Sequence, residues 1–552
     1  MTPCKFAKWY PFHMFGSTRS TSFPRQRALS VLLALIGVFV PCATALADQN
    51  EPSKRPNILL VVTDDESWLE RSAYGWTSIR TPHFDKLASQ GVLFTHAYAS
   101  APSCAPARAA LLTGRNFWEL EQGAFIQAWL PAKFPRVPEM LASAGYHTGH
   151  TGKGWGPGVI LIDEDPENYV KSHMSAEPHG ERGANPAGPC YNDIRLENPP
   201  PDFLPIDYVA NFDAFLDERQ PDQPFFFWAG IFEPHGPWDE GNHERLEEEY
   251  GYTNDDAPMP GFIPDTKRIR ERRNDMMYEV VRADEDLGRL IEILDERGLR
   301  DNTIIIATSD QGTYIPRGKT SPYDWGVRSP LAIAWPDSVP GGRTIDDFVT
   351  HPDLAVTILD AAGLGDQARD AGMSGKSIKS MLISDDSGRV ERSRDTVVTG
   401  LEWHGELPPY SLASRTIRDH RYAYVVRFGR PRGMSFLPSR ARKPDDAFAE
   451  SAEQLEVREL ITAHPTHPNV RQFAELYCTP PMVEELYDLE ADPWQMNNII
   501  ADPANADVRN RLAKQLHEYM LETDDPRATG DMEIFAGTRM FVIDRKRRNY
   551  QD

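Results

Sequence analysis

Apolar and polar positions along the chain alternate in long blocks rather than in short periods. Three runs carry almost no polar residue: Pro56–Thr63, Pro224–Phe232 and Thr303–Thr308. Such continuous runs predict strands buried on both faces, the signature of a parallel sheet covered by helices. Each breaks off at a polar group: Asp64-Asp65, then Glu233-Pro234-His235-Gly236-Pro237, then Ser309-Asp310-Gln311-Gly312. Between them, Thr81–Ala88, Val137–Ala144 and Tyr208–Glu218 read as helices. Asp275–Arg297 reads as a longer helix, with Val280, Leu287, Leu290, Ile291 and Leu294 on one face and Gly298 as its stop. Val92–Tyr98 and Leu331–Pro336 add strands, and Pro352–Ala362 a helix. The alternation predicts an α/β fold, a large, mostly parallel sheet sandwiched by helices.

The texture changes near Ser393. Short alternating segments at 396–400, 414–417, 421–426 and 485–489 predict a small antiparallel sheet, with Asp507–Leu521 as its packing helix. The expected organisation is a catalytic domain over 48–392, a smaller C-terminal domain over 393–525, and a polar, basic arm over 526–552. Residues 156–205, rich in Pro, Gly and Asn, read as a substrate-side insertion. Residues 239–273 read as irregular, closing on Lys267, Arg268, Arg270, Arg272 and Arg273. Tyr146–Gly156 reads as a glycine-rich loop that lets backbone approach a ligand, with Lys153 as a mobile charge.

Composition narrows the partners. The 552 residues carry a formal net charge of −23. Residues 1–47 hold Lys5, Lys8, Arg19, Arg25 and Arg27, an apolar run from Leu29 to Val40, and Ala45-Leu46-Ala47. This is the pattern of a cleaved signal, which predicts an exported protein, periplasmic or secreted, without stable membrane insertion afterwards. The apolar run is short for a span. Its removal makes the protein more acidic still. So acidic a surface excludes nucleic acid and long polyanions laid across it, and an anionic substrate then needs a local basic pocket. Beyond the signal stand Cys104, Cys190 and Cys478; a Cys190–Cys478 disulfide and two free thiols both fit this spacing.

The candidate chemistry gathers around Ser103-Cys104-Ala105-Pro106-Ala107-Arg108. Pro suits a first helical turn, which places Cys104 at a helix N-terminus, where backbone N–H groups favour negative charge. Asp64-Asp65 and Asp310-Gln311 both close core strands, and in a parallel sheet those ends share one edge. Oxygen donors without clustered His or Cys suit a hard cation, Ca²⁺ before Mg²⁺, and argue against zinc. Alone, Cys104 reads as a small buried thiol, His235 as a turn residue and Lys319 as a solvated loop charge.

Together these elements resemble the type I sulfatases over nearly the whole mature chain. The matching stretches are Arg55–Asp65, the Cys-x-Pro-x-Arg box with Thr113-Gly114-Arg115, the Gly152-Lys153 loop, Pro234-His235, Thr308–Gly312 and Glu485–Pro493, in the family's order. The resemblance implies an alkaline-phosphatase-like sheet and a Cys104 oxidised to formylglycine by a separate maturation enzyme. It implies a cation, normally calcium, held by Asp64, Asp65, Asp310, Gln311 and the matured Cys104, with Gln311 standing where Asn or His is more usual. It implies that Arg108 and Lys153 support the nucleophile and the sulfate oxygens. His235 and Lys319 would contact the sulfate and its bridging atom, His235 protonating the leaving group. Trp155 stands where the family often has a histidine, which leaves His147 or His150 as substitutes, a branch that works differently, or impaired turnover. Pro316–Arg328 and Thr399–His404 look most like the heparan N-sulfatase branch. That likeness marks Glu402, His404 and Arg328 as substrate contacts and implies a sulfated carbohydrate substrate, such as N-sulfoglucosamine ends. An arylsulfatase or a phosphate or phosphonate monoester hydrolase of the wider superfamily is the alternative enzyme. A catalytically silent sugar-binding homologue is the non-enzyme alternative.

Overall fold

A computed structural model describes residues 55–161, 168–172, 185–404, 413–428, 447–478 and 481–538. The expected signal over 1–47 and most of the basic tail lie outside these residues. Up to residue 350 the strands are β1 (Asn57–Thr63), β2 (Val92–Phe94), β3 (Ala97–Tyr98), β4 (His147–Gly152), β5 (Gly158–Leu161), β6 (Tyr169–Ser172), β7 (Phe225–Gly230), β8 (Thr303–Ser309), β9 (Leu331–Ala334), β10 (Arg343–Ile345) and β11 (Val349–Thr350). The main sheet has seven strands in the order β10-β2-β9-β8-β1-β7-β4, and β9 alone runs antiparallel to its neighbours. The three apolar runs are its adjacent central strands, β8, β1 and β7. Every residue of each is buried, because both faces of the sheet are covered by helices.

The alternation of strand side chains builds two cores. Ile58, Leu60 and Val62 of β1 face one hydrophobic cluster, with Phe226 and Trp228 of β7; Leu59 and Val61 face the other, with Phe225 and Phe227. The helices follow in chain order: α1 (Pro82–Gln90), α2 (Cys104–Thr113), α3 (Val137–Ser143), α4 (Tyr208–Asp217), α5 (Asn242–Tyr250) and α6 (Lys267–Glu296). α2 lies on the first core through Ala105, Ala109, Leu111 and Leu112, and α6 on the second through Ala283, Leu287, Leu290 and Leu294.

Three local expectations change. Tyr146–Gly156 is not a loop: its centre is edge strand β4, paired in parallel with β7, and Lys153 is buried rather than mobile. The helix expected from Asp275 starts eight residues earlier, at Lys267, capped by Thr266, whose side chain accepts from Ile269 N. The basic cluster is its first two turns, and charges such as Arg270 with Asp265 (2.6 Å) and Arg273 with Glu70 (3.0 Å) hold it there. The preceding polar stretch contains α5, and the 156–205 stretch contains the β5–β6 hairpin.

The C-terminal sheet has four antiparallel strands, β12 (Val397–Leu401), β13 (Ala413–Arg418), β14 (Tyr422–Phe428) and β15 (Glu484–Asp488), packed under a helix at Ala506–Glu522. Val398, Ile417, Tyr424 and Leu486 of this sheet share a cluster with Phe117 and Trp118, just after α2. Beyond 525 the chain is not an extended arm as far as 538: short helical turns at Pro526–Thr529 and Met532–Phe535 pack against the body. Cys104 is a buried free thiol.

Candidate active site

Four adjacent parallel strands deliver their next residues to one edge. Thr63 of β1 pairs with Ser309 of β8, and Gly230 of β7 with Gly152 of β4, so Asp64-Asp65, Asp310-Gln311, the segment to His235, and Lys153 emerge side by side. The carboxyl edge of an open sheet is where such folds place ligands. Close backbone contact sets the position of Lys153: its N–H donates to Gly230 O (2.7 Å), and a Cβ at residue 230 would meet Lys153 O at 2.0 Å. Only glycine fits there. Asp65 sits at φ 63°, an uncommon left-handed backbone that turns its carboxylate back under β1.

Cys104 opens α2 with Ser103 as N-cap, as the Pro at its second following position predicts. It is 1% exposed. Burial pushes its thiol up to about 11 despite the charges of Lys153 and Lys319, so at neutral pH it is a protonated, weakly nucleophilic thiol. Arg108, one turn on, donates through Nε to Asp310 Oδ2 (2.7 Å) and through Nη1 to Gly154 O (2.9 Å). Lys153 Nζ bonds Asp64 Oδ2. Lys319 Nζ donates to Asp65 Oδ2 (2.7 Å) and meets His235 Nε2 at 3.2 Å. Gln311 Nε2 bonds Asp65 Oδ1 and lies 3.4 Å from Cys104 Sγ. Nine of the expected residues thus meet in one buried cluster: Asp64, Asp65, Cys104, Arg108, Lys153, His235, Asp310, Gln311 and Lys319.

Its electrostatics are those of crowded opposite charges. Burial opposes ionisation of Asp64, but Lys153, His235, Arg108 and Lys319 outweigh it and hold the carboxyl well below the usual range. Asp310 is pushed up to about 7, by burial first and by Asp64 and Asp65, against the pull of Arg108. Burial would lower Lys319 too, yet Asp65 keeps its ammonium charged above the ordinary lysine value. His235 is lowered by burial and by Lys319. Its Nδ1 bonds Gly236 O at 2.6 Å, so the neutral ring carries its proton there and Nε2 accepts from Lys319. The resting proton next to the site is therefore on Lys319 Nζ, not on His235 Nε2.

One atom each of Asp64, Asp65, Cys104 and His235 lie within 4.8 Å of one another, a grouping able to hold a metal ion. Asp64 Oδ1 and Gln311 Oε1 are buried without a hydrogen-bond donor. Buried acceptors are almost always satisfied, and two orphaned oxygens among carboxylates fit a hard cation.

A family profile for sulfatases matches residues 56–364, more than half of the chain. The chain belongs to the sulfatase family. The sulfatase is 26% identical over 504 residues to human N-sulphoglucosamine sulphohydrolase, covering 86% of this chain and 91% of that protein. It is 26% identical over 484 residues to an ulvan-active sulfatase of Formosa agariphila, covering 86% and 81%. A Bacteroides thetaiotaomicron structure, from work on the metabolism of multiple glycosaminoglycans, superposes with a TM-score of 0.64 at 19% identity, covering 87% of this chain and 99% of that one. The family assignment makes the protein a sulfuric ester hydrolase.

Two of the three expected substrate contacts of the sulfatase are taken up by the fold. Glu402 is buried, receiving Arg415 Nη2 (2.7 Å) and Arg527 Nε (3.1 Å), with Asp525 completing the network at 2.6 Å from Arg415 Nε. Its carboxylate has no face left for a sugar. Arg328 donates to Thr95 O (2.9 Å) and lies over the Trp68 ring at 4.7 Å. Glu402→Ala is therefore expected to destabilise by about 3 kcal/mol, as breaking a buried pair strands a charge. Thermal melting and steady-state kinetics check it: the melting temperature falls while KM of the folded fraction stays unchanged.

His404 does reach the site: its Nδ1 meets Ser103 Oγ at 2.8 Å, one residue before the nucleophile position. Burial first, then the charges of Lys319, His235 and Lys153, hold it well below the usual histidine range. His147 and His150 are both engaged by other parts of the fold. His147 stacks on Phe215 (4.3 Å), and His150 Nδ1 bonds Gly188 O (2.9 Å), while Trp155 is part of the first core. Sequence reasoning missed the support beneath Gln311 and Lys319. Thr313 Oγ1 bonds Glu70 Oε2 (2.5 Å), Ser67 N also donates to Glu70 (2.8 Å), and Arg273 pairs with Glu70 at 3.0 Å. The only sequence signal was a charged pair, Glu70-Arg71, inside an otherwise buried stretch.

Proposed function

We propose that this sulfatase removes sulfate, as an ester or a sulfamate, from a terminal sugar of a sulfated carbohydrate, using formylglycine made from Cys104 and a Ca²⁺ ion. The single observation that carries this is the meeting, at one sheet edge, of Cys104 with three carboxylates, one amide and three buried cations. The high thiol pKa supports a matured Cys104, since the unmodified side chain is a poor nucleophile.

Asp64, Asp65, Asp310 and Gln311 would hold the cation, which supplies polarisation of a sulfate oxygen and a lowered pKa for a neighbouring hydroxyl. The formylglycine hydrate supplies one hydroxyl to accept the sulfuryl group and a second to expel it. Arg108 fixes Asp310 and, with Lys153, balances negative charge beside residue 104. Lys319 Nζ is placed to give its proton to the departing oxygen or nitrogen, with His235 Nε2 accepting a hydrogen bond that steadies the ammonium. His404 faces the same centre from the C-terminal sheet and is proposed to contact the sugar. The signal-like N-terminus supports export, and maturation needs a formylglycine-generating enzyme. Among the described residues no helix is long and apolar enough to cross a membrane.

The carbohydrate reading draws on the relatives, named for N-sulphoglucosamine and for ulvan. A panel of defined sulfated mono- and disaccharides, with aryl sulfates and phosphate monoesters beside them, tests it. Turnover highest on a sulfated sugar is expected. Faster hydrolysis of phosphate monoesters would overturn the sulfate assignment, and exclusive action on aryl sulfates the carbohydrate one. An unmodified Cys104 peptide from a host that matures sulfatases would favour a silent binding protein.

A further inference from the structure

Among the described large apolar side chains, Tyr314 is the most exposed, at 58%. Single exposed apolar residues are common on proteins and usually mean nothing. This one differs by its place: its ring centroid lies 5.9 Å from Lys319 Nζ, the same ammonium that bonds Asp65 and His235. The ring therefore stands on the water side of the reacting edge, one residue's reach from the group that faces the leaving atom.

Its position is fixed rather than accidental. Thr313, before it, is fully buried; its N–H donates to Ser67 Oγ (3.1 Å) and its Oγ1 to Glu70. After it, Lys319 N and Ile315 N both donate to Thr313 O, at 2.8 and 2.9 Å, and a Cβ at Gly318 would meet that oxygen at 2.0 Å. Arg317 closes the turn at φ 63°, its guanidinium 3.5 Å from the Tyr323 ring centre. The loop that carries Lys319 thus fixes the backbone on both sides of Tyr314 and holds its aromatic ring in solvent, at a cost in exposed apolar area. A pyranose ring offers a matching surface: one face of C–H groups, with hydroxyls at the rim that stay hydrated. Tyrosine suits this pairing, an apolar face with a polar tip in water.

We infer that Tyr314 is the stacking platform for the sugar ring that bears the scissile sulfate, and so a specificity-determining residue. This rests on the carbohydrate reading above. The experiment uses the matured, calcium-loaded full chain, the sulfated sugar that the wild type turns over fastest, and the variants Tyr314→Ala and Tyr314→Phe. Inorganic sulfate serves as a competing anion. Tyr314→Ala is expected to raise KM about tenfold with kcat within about twofold, because a stacked pair is worth about 1 kcal/mol or slightly more. Tyr314→Phe keeps the face and stays near the wild type, and inhibition by inorganic sulfate is the same in all three proteins. Unchanged kcat/KM in Tyr314→Ala would overturn the platform alone. A fall in kcat at constant KM, or a parallel weakening of sulfate inhibition, would overturn it too, by showing that the residue acts through Lys319. A wild type that hydrolyses aryl sulfates and no sugar sulfate would instead overturn the carbohydrate reading, and the platform with it.

Discussion

Cys104→Ala lowers kcat on any sulfate ester by about 10⁴-fold or more while the protein still folds. Two properties of the site set this expectation. Cys104 is the one thiol in the group it forms with Asp64, Asp65 and His235, and it is the residue whose oxidation the proposed mechanism requires. The change is also small in volume: a buried sulfur is lost from the first turn of α2, at a cost of about 1 kcal/mol. Melting curves separate the two effects, since turnover should vanish with the melting temperature almost unmoved. Cys104→Ser makes the sharper variant. A serine has one hydroxyl and cannot expel what it accepts, so at most one equivalent of leaving group is released per protein and the residue-104 peptide stays modified. Steady turnover by Cys104→Ser, measured by release of sulfate, would remove the aldehyde from the mechanism.

The second large effect is expected on chelation. Asp64, Asp65 and Asp310 are fully buried within one cluster, and Asp310 is already pushed up to about 7 by burial and by its acidic neighbours. Lys153, Lys319 and Arg108 compensate in part, yet Asp64 Oδ1 and Gln311 Oε1 keep no donor. A cation that binds only the folded chain stabilises it by about 4 kcal/mol at a thousand times its dissociation constant. Exhaustive chelation should therefore abolish turnover and lower the melting temperature by several degrees. Readdition of Ca²⁺ should restore both at lower concentration than Mg²⁺, because flexible all-oxygen donors suit the larger ion. An apoprotein that melts and turns over like the untreated enzyme would refute the cation site.

Much of this was legible in the sequence, for a physical reason. A strand buried on both faces must be apolar throughout, so Ile58–Val62, Phe225–Phe227 and Ile304–Ile306 announce themselves, and a polar group at their ends is exceptional enough to mark the edge. Cys104 was placed by Pro106, and Asp64, Asp65, Asp310 and Gln311 by the ends of β1 and β8. What stayed hidden was the destination of charged side chains. Glu402 reads as a ligand contact beside His404, but only the fold brings Arg415 and Arg527 onto it. The same holds for Arg328, which the Thr95 carbonyl claims, and for Glu70, whose partners Arg273 and Thr313 lie over two hundred positions away. Lys267–Asn274 looked irregular because seven polar or charged residues in eight mask a helix; its stability comes from Thr266 and from ion pairs, not from an apolar face. His404 shows the converse: the resemblance marked it, and the fold brings its Nδ1 within 2.8 Å of Ser103 Oγ, 301 residues away in the chain.

The junction between the two sheets has an evolutionary consequence. Arg418 of β13 holds Asp324 at 2.6 Å, Arg317 bonds Gln495 O, Tyr323 reaches Glu485 at 3.1 Å, and His404 touches Ser103. Through His404 and Ser103 this junction reaches the segment that carries Cys104. A lineage adapting to a new glycan could not trade its C-terminal sheet as an interchangeable cartridge. Changes on the two sides of this junction would have to come in pairs.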